Sequence, residues 1–150
     1  MIFITVGTGK FDELIQKIDE IAGKKEKIIM QIGNGEYIPK NCEYFRFKPS
    51  LEKYYKKSWL IICHGGAGTV YELLEKNKKI IGVANLNRTD VHQKEILKAL
   101  SKDKYLIWCK DIEKISECIK KSKKFKFKKY KVPKCMIHEE INKYFEKCAE

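Results

Sequence analysis

The sequence predicts a single α/β domain with a doubly wound parallel sheet of about six strands and a C-terminal helix. Short apolar runs alternate with helical patterns along most of the chain, which is typical of βα units and a parallel sheet. The chain has 150 residues, of which 43% are hydrophobic. That length suffices for one domain with a substantial core and is short for two domains.

The six predicted strands are short apolar runs that lie between the helical patterns. Each is four or five residues long, as expected for buried strands of a parallel sheet. They cover residues 2–6, 28–32, 44–47, 60–63, 80–83 and 105–108.

The predicted helices have apolar residues three and four positions apart, the spacing that places them on one helix face. Ser50 is the expected N-cap of the second helix. We expect a domain over residues 1–119, a basic segment over 120–134 and a helix over 135–150. The apolar positions are Phe11, Leu14, Ile15, Ile18 and Ile21; Leu51, Tyr54 and Tyr55; Val70, Leu73 and Leu74; Ile96, Leu97 and Leu100; Ile112, Ile115 and Ile119; and Ile137, Ile141, Tyr144 and Phe145.

Charge and cysteine usage restrict the class of protein. The net charge of +12 favours anionic ligands or surfaces. In the basic segment, aromatic residues alternate with lysines, a pattern that indicates either a patch for anionic lipid or nucleic acid or a solubilising basic edge. The six cysteines form no Cys-x-x-Cys pair and have no histidine at zinc-site spacing, so we expect reduced thiols that serve mainly in packing.

Several other functions are not indicated. There is no recognisable nucleic-acid module, and we expect no nucleic-acid partner. No apolar run approaches the roughly 20 residues of a membrane span, and the first residues lack the features of a signal peptide. We therefore expect a cytoplasmic protein that is neither secreted nor membrane-spanning.

The most informative stretch is His64-Gly-Gly-Ala-Gly-Thr-Val-Tyr-Glu72, which follows a predicted strand and opens a predicted helix. Glycines allow a ligand to approach the backbone, and the free N–H groups of a first helical turn attract an anion. Thr69 adds a hydroxyl group, and the Glu72 carboxylate can accept hydrogen bonds from a ribose. The pattern predicts a nucleotide diphosphate ligand, with a simple strand-to-helix turn as the alternative.

Two common phosphate-binding motifs are not complete in this chain. The segment Gly7-Thr8-Gly9-Lys10 lacks the earlier glycine of a P-loop, and Phe11 stands where that motif has a hydroxyl residue. The glycines also do not form a dinucleotide-binding fingerprint. Neither ATP hydrolysis nor NAD chemistry is indicated.

The polar candidates follow four different predicted strands. Ligands of doubly wound sheets bind beyond the carboxyl ends of the strands, at the switch point of the topology. The candidate loops are therefore expected to converge on one cleft. They contain Gly7, Thr8 and Gly9 after the first strand, Phe47 and Lys48 after the third, His64 to Thr69 after the fourth, and Asp90, His92 and Gln93 after the fifth.

With these motifs the chain resembles the donor-binding, family 28 C-terminal domain of GT-B glycosyltransferases. The likeness covers roughly residues 1–119 and is nearest to the small soluble catalytic subunits of two-component UDP-N-acetylglucosamine transferases and to bacterial exopolysaccharide transferase subunits. It implies a Rossmann-like half of a GT-B enzyme. The motifs are Val6-Gly7-Thr8 with residues 11–14, residues 31–33, His64 to Thr69 with Glu72, and Asp90 to Gln93.

The resemblance also implies roles for these residues. Gly66 to Thr69 would hold the diphosphate, and Glu72 would bind the ribose hydroxyls. Phe47 and Lys48 would border the uracil. Asp90, His92 and Gln93 would bind the hydroxyls of the transferred sugar. Gly9, Lys10 and Ala84 depart from the pattern of the relatives. The predicted donor-binding residues are Gly7, Thr8, Gly9, Phe47, Lys48, His64, Gly65, Gly66, Ala67, Gly68, Thr69, Glu72, Asp90, His92 and Gln93.

The function implied is transfer of a hexose, N-acetylglucosamine by resemblance, from a UDP-sugar to a lipid-linked glycan with inversion at the anomeric carbon. Backbone N–H groups, with His64 and Lys10, could stabilise the departing diphosphate. No Asp-x-Asp pair is present, so we expect neither a metal ion nor a cofactor. The catalytic base is not assigned.

A GT-B active site lies between two domains, which implies a membrane-anchored acceptor-binding partner subunit. The basic segment and terminal helix are the expected contacts with that partner or the membrane, at its cytosolic face. The alternatives are a non-catalytic accessory subunit of a separate transferase and a module that binds anionic lipid or RNA.

Overall fold

The computed structural model describes residues 1–23, 26–85, 92–133, 141 and 144. Six parallel strands form one sheet in the order β3-β2-β1-β4-β5-β6, which confirms the predicted α/β fold. The strands are β1 (Ile2–Thr5), β2 (Ile28–Gln31), β3 (Glu43–Phe45), β4 (Leu60–His64), β5 (Ile80–Val83) and β6 (Ile107–Cys109). The helices are α1 (Asp12–Ile21), α2 (Glu52–Lys57), α3 (Ala67–Glu75), α4 (His92–Lys102) and α5 (Ile115–Ser122), with a 3₁₀ turn at Ile112–Lys114.

Helices cover both faces of the sheet. Successive residues of the central strand β1 point to opposite faces, so Ile4 packs with residues of α1 and α5 whereas Phe3 packs with residues of α2, α3 and α4. The central strands β1, β4 and β5 are buried on both faces, which explains why they are nearly continuous apolar runs without alternation. The order of the strands reverses between β1 and β4, so the switch point lies between the loops that follow these two strands.

Two predicted strands differ from the observed ones by two residues at one end, and three others differ by a single residue. β6 begins at Ile107 and not at residue 105, because Tyr105 belongs to the C-terminal cap of α4. Lys104 has a positive φ of 62°, and the N–H of Tyr105 donates to the carbonyl of Leu100 at 3.0 Å. β3 ends at Phe45, before Phe47, and the Arg46 guanidinium bonds to the loop after β2.

Two further predictions concern helix ends. α2 has Leu51 and not Ser50 as its N-cap, although the Ser50 hydroxyl still accepts the N–H of Glu52 at 3.3 Å. The predicted terminal helix lies outside the described residues except for Ile141 and Tyr144, which are both helical and exposed.

After α5, residues 123–133 form an extended strap along the amino ends of the strands. The N–H of Lys128 donates to the carbonyl of Lys104, just before β6, and Lys123 Nζ lies 5.8 Å from the ring centre of Trp59, just before β4. Phe125 and Phe127 pack on one face of the sheet and Tyr130 on the other. The aromatic residues of the basic segment therefore anchor it to its own domain, while the lysines of the strap remain exposed.

The long loop after β2 is fixed to α1 by a buried carboxylate. Asp19 accepts hydrogen bonds from the N–H groups of Lys40 and Asn41 at 2.8 and 2.9 Å and from the Tyr37 hydroxyl at 3.0 Å. Burial alone would raise the pKa of Asp19, but these hydrogen bonds outweigh burial and hold its pKa below the ordinary value of 3.8. The charged form of Asp19 thus stabilises the folded state.

We expect Asp19→Asn to destabilise the fold by about 1–3 kcal/mol at pH 7, because an amide group would face two donors with its own N–H groups. Since the pKa of Asp19 is lower in the folded state, its stabilisation is complete above pH 3.8 and is lost as the pH falls through the folded-state pKa. The free energy of unfolding can be measured in urea from pH 7 to pH 3. The difference in this free energy between the variant and the wild type should become smaller as the pH falls. The exposed Asp103→Asn serves as the matched control, and an equal loss in both variants would contradict this role.

Candidate functional site

The His64 side chain lies between two glycine turns at the carboxyl edge of the sheet. His64 is the last residue of β4, and Gly7 follows β1 with a positive φ of 65°. A Cβ at Gly7 would lie 3.0 Å from His64 Cε1, and a Cβ at Gly66 would overlap Nε2 and lie 2.9 Å from Cδ2. A side chain at Gly66 would displace the imidazole ring and one at Gly7 would crowd it, so the ring links the loop after β1 to the start of α3.

Buried polar side chains set the geometry of the Gly7 turn. The Thr5 hydroxyl donates to Gln31 Oε1 at 2.6 Å and accepts the N–H of Gly7 at 3.2 Å. Thr5 and Gln31 are register partners on neighbouring strands and are 0% and 5% exposed. Because buried polar groups are costly unless they are paired, this chain of hydrogen bonds holds the turn in one conformation.

The loops after β1 and β2 are in direct backbone contact. Gly33 has a φ of 54°, and a Cβ at this position would lie 2.8 Å from the Gly7 carbonyl oxygen. The N–H of Asn34 donates to the carbonyl of Gly9 at 3.1 Å. The Arg46 guanidinium, after β3, donates to the carbonyls of Gly33 and Gly35 at 3.0 and 2.7 Å. The predicted convergence of loops is thus present on this side of the switch point.

Asn85 joins the loop after β5 to the same cluster, and the sequence analysis missed it. Its side-chain N–H donates to the carbonyl of Lys10 at 2.8 Å, and its backbone N–H donates to Gln93 Oε1 at 3.1 Å. Gln93 is 2% exposed, and a Cβ at Gly65 would lie 3.0 Å from the Gln93 Cβ. Gln93 therefore supports the loops with its amide oxygen. In the sequence, Asn85 is a polar residue two positions after the buried strand β5, at the edge of the sheet where the other polar candidates lie.

The first turn of α3 presents free backbone donors. Gly66 is the N-cap, without a side-chain hydrogen bond, and the first turn contains no acidic residue. The N–H groups of Ala67, Gly68 and Thr69 precede the first intrahelical hydrogen bond, which Val70 donates to Gly66. Ala67 and Gly68 are exposed and Thr69 is half-buried. This turn carries the partial positive charge of the helix dipole and can accommodate an anion.

Glu72 lies one turn further along α3 and is exposed. The hydroxyl of Tyr55, a buried residue of α2, donates to Glu72 Oε2 at 3.5 Å. Burial, followed by the nearby charge of Glu72, raises the pKa of Tyr55, so this hydroxyl remains a donor. Tyr55 thus orients the Glu72 carboxylate, a role that no local sequence pattern indicates.

The remaining predicted site residues lie around this cluster. Thr8 is exposed, Phe47 is 50% exposed, and Lys48 Nζ lies 5.4 Å from the ring centre of Phe45. His92 begins α4, and its Nδ1 lies 3.5 Å from Glu95 Oε2. Asp90 lies outside the described residues.

Lys10 faces carboxylates and not the first turn of α3. Its Nζ lies 2.7 Å from Glu36 and 3.4 Å from Asp12, and the hydrogen bond to Glu36 raises the pKa of Lys10. In the described ranges, no three His, Cys, Asp or Glu side chains are grouped so that they could hold a metal ion. No helix in the described part of the chain is long and apolar enough to cross a bilayer.

The strand order defines a doubly wound α/β domain, and the first turn of α3 lies at its switch point. The chain belongs to the glycosyltransferase family 28 C-terminal domain family, whose sequence profile matches residues 1–147. The human UDP-N-acetylglucosamine transferase subunit ALG13 is 36% identical over 72% of this chain, which spans only 11% of the length of that protein.

Solved structures show the same fold at low sequence identity. The crystal structure of MurG from Acinetobacter baumannii superposes with a TM-score of 0.62 at 19% identity, covering 81% of this chain and 41% of MurG. An NMR structure of ALG13 superposes with a TM-score of 0.58 at 17% identity. The match covers 87% of this chain and 89% of the ALG13 chain in that structure.

We expect Gly66→Ala to destabilise the protein by about 1–3 kcal/mol, because the added methyl group meets the His64 ring. In a His64→Ala background the same change should cost less than half as much, since the obstructing atoms are gone. Thermal or urea unfolding of the four proteins of this double-mutant cycle measures the difference. Equal costs in the two backgrounds would show that the imidazole does not dictate a glycine at this position.

Proposed function

We propose that this chain binds UDP-N-acetylglucosamine and serves as the donor-binding, catalytic part of a glycosyltransferase that acts on a lipid-linked glycan. Family membership and the name of the human relative support this class of substrate. The observation that carries the proposal is the surface around Gly68, where the protein's own structure offers no reason for a glycine.

Gly68 differs from four other glycines of the candidate loops, Gly7, Gly33, Gly65 and Gly66. Gly7 and Gly33 have positive φ angles, and Gly65 and Gly66 are crowded by side chains. A Cβ at Gly68 would meet nothing within 4 Å, and its φ is not in the left-handed region. Glycine in a helix is less favourable than alanine by up to about 1 kcal/mol. A ligand that closely approaches the exposed backbone of Gly68 explains why a side chain is absent there.

The geometry suits a pyrophosphate better than a neutral ligand. Free N–H groups of Ala67, Gly68 and Thr69 would donate to the phosphate oxygens, and the helix dipole would favour their charge. Glu72 would accept hydrogen bonds from the ribose hydroxyls, held in place by Tyr55. His92, the first residue of α4, would bind the sugar, and we propose Asp90 as a second sugar-binding residue.

In the proposed reaction, an acceptor hydroxyl oxygen forms a bond to the anomeric carbon while the bond from that carbon to the diphosphate oxygen breaks. UDP leaves, and the donors at α3 stabilise the charge that develops on it. The acceptor hydroxyl loses its proton to a base that we do not assign. We propose inversion at the anomeric carbon and catalysis without a metal ion.

The candidate donor residues lie at one edge of a single sheet. The surface that binds the acceptor is therefore expected from outside the described domain. We propose that a membrane-anchored subunit or further domain covers this carboxyl edge. The lysine-rich strap runs along the opposite, amino edge. A contact of the strap with an anionic surface would therefore be separate from the donor cleft, and we propose it as a second, peripheral contact at the cytosolic membrane face.

Calorimetric titration with UDP and UDP-N-acetylglucosamine tests the donor site. Gly68→Ala should weaken UDP binding about tenfold or more, because the methyl group occupies the space of the ligand, while stability stays equal or rises by up to about 1 kcal/mol. Glu72→Ala should cost on the order of 1–3 kcal/mol of affinity through the lost ribose hydrogen bonds.

Gly23→Ala is the matched control, since a Cβ at Gly23 also meets nothing within 4 Å and Gly23 lies after α1, outside the candidate loops. This variant should bind UDP like the wild type. Unchanged UDP affinity in Gly68→Ala would overturn the assigned position of the pyrophosphate. Unchanged UDP affinity in Glu72→Ala would overturn the assigned position of the ribose.

A further inference from the structure

The strap, residues 123–133, carries six lysines and no acidic residue. All six lysines are exposed, and none forms an ion pair within the part of the chain that the structure describes. The flanking positions, from 118 to 138, also contain no Asp or Glu. Most of the positive charge of the strap is therefore available to an external partner.

Aromatic side chains anchor the strap to the domain. The rings of Phe125 and Phe127 meet edge to face with their centres 4.8 Å apart, and both pack on the hydrophobic core. The Tyr130 ring lies 5.3 Å from the ring of Tyr105, on the other face of the sheet. Because these anchors are interleaved with the lysines, the lysine backbones are held in place before a partner arrives, which limits the entropy that binding must cost.

The same packing distinguishes between the two anionic partners that the sequence leaves open. Rings that stack on nucleic-acid bases must be exposed, whereas the three rings of the strap are half-buried and packed on the domain. The strap also contains no arginine, the side chain that suits bidentate recognition of a phosphate. Val132 is 62% exposed beside the lysines, and an apolar side chain in that position suits the headgroup region of a bilayer.

We propose that the strap is a preformed binding surface for a bilayer that contains anionic lipids. Each lysine close to an anionic headgroup layer adds to the attraction, and a point charge needs no defined binding geometry there. The choice of a membrane rests on the proposed function, in which the acceptor is linked to a lipid. Binding of the strap to lipid itself requires none of the donor-site residues.

The lipid surface and the donor cleft would lie at opposite ends of the strands. Lys123 Nζ lies 5.8 Å from the ring centre of Trp59, just before β4, whereas His64 at the other end of β4 begins the candidate loops. The five residues of β4 separate these ends by about 15 Å. A bilayer on the strap therefore leaves the donor cleft open, so lipid and nucleotide can bind at the same time.

Co-sedimentation of the full chain with lipid vesicles tests this surface. The chain should pellet with vesicles of phosphatidylcholine and phosphatidylserine in a ratio of about 2:1, and not with phosphatidylcholine alone. Raising the salt concentration from about 0.1 M to about 0.5 M should release the chain, because salt screens exposed charges. Equal binding to the two kinds of vesicle would overturn the proposal.

A strap variant that combines Lys124→Gln, Lys126→Gln and Lys129→Gln should bind the phosphatidylserine vesicles about tenfold more weakly, or less. The net charge of the chain falls from +12 to +9, because three lysines are lost. All three side chains are exposed, so the melting temperature should match that of the wild type. Unchanged vesicle affinity in this variant would overturn the role of the strap.

The matched control combines Lys94→Gln, Lys110→Gln and Lys114→Gln. These lysines are equally exposed but lie toward the carboxyl edge, in the first turn of α4, directly after β6 and in the 3₁₀ turn. The control loses the same charge and should keep a vesicle affinity within about twofold of the wild type. Equal losses in the two variants would show that total charge, and not the strap, attracts the chain to the vesicles.

Two further measurements separate this proposal from the proposed function and from nucleic-acid binding. Gly68→Ala should bind vesicles like the wild type, and the strap variant should bind UDP like the wild type. A wild type that binds UDP but no vesicles would overturn the lipid surface alone, whereas one that binds vesicles but no UDP would overturn the donor site alone. Displacement of the vesicles by single-stranded RNA at an equal phosphate concentration would overturn the choice of lipid as the partner.

Discussion

The position of the first turn of α3 depends on one steric constraint. The His64 imidazole fills the space between Gly7 and Gly66, so neither position accommodates a side chain without a shift. Through these contacts the His64 ring links the turn after β1 to the entry into α3. Thr5, Gln31 and Asn85 then connect the remaining loops by buried or partly buried hydrogen bonds. The backbone donors of α3 are thus held in place before any ligand arrives, which limits the entropy that binding must cost.

The two edges of the sheet have different chemistry as a result of the parallel topology. Every helix in a doubly wound fold begins near the carboxyl edge and ends near the amino edge, so the positive ends of the helix dipoles gather at the first edge. The lysines of the strap lie at the amino edge. Part of the net charge of +12 therefore lies away from the proposed donor cleft, so the total charge is a poor guide to where that cleft lies.

The sequence was sufficient to predict the strands and helices because local periodicity determines them, and insufficient where distant residues meet. The cap at Lys104, which removes Tyr105 from β6, depends on a positive φ that lysine rarely adopts. Asn85 and Lys10 are 75 residues apart in the sequence, so no local sequence pattern could predict their hydrogen bond. The aromatic residues of the basic segment looked like surface contacts, yet they pack against the core because the chain turns back along the sheet.

The central claim, that the first turn of α3 binds the pyrophosphate of a nucleotide sugar, is tested most directly by an amide NMR titration of the full chain with UDP. The account predicts that the N–H resonances of Ala67, Gly68 and Thr69 shift most, because these groups would donate to the phosphate oxygens. Inorganic sulfate should reproduce these shifts at higher concentration. Saturable UDP binding that leaves the three resonances in place and moves those of another surface would contradict the account.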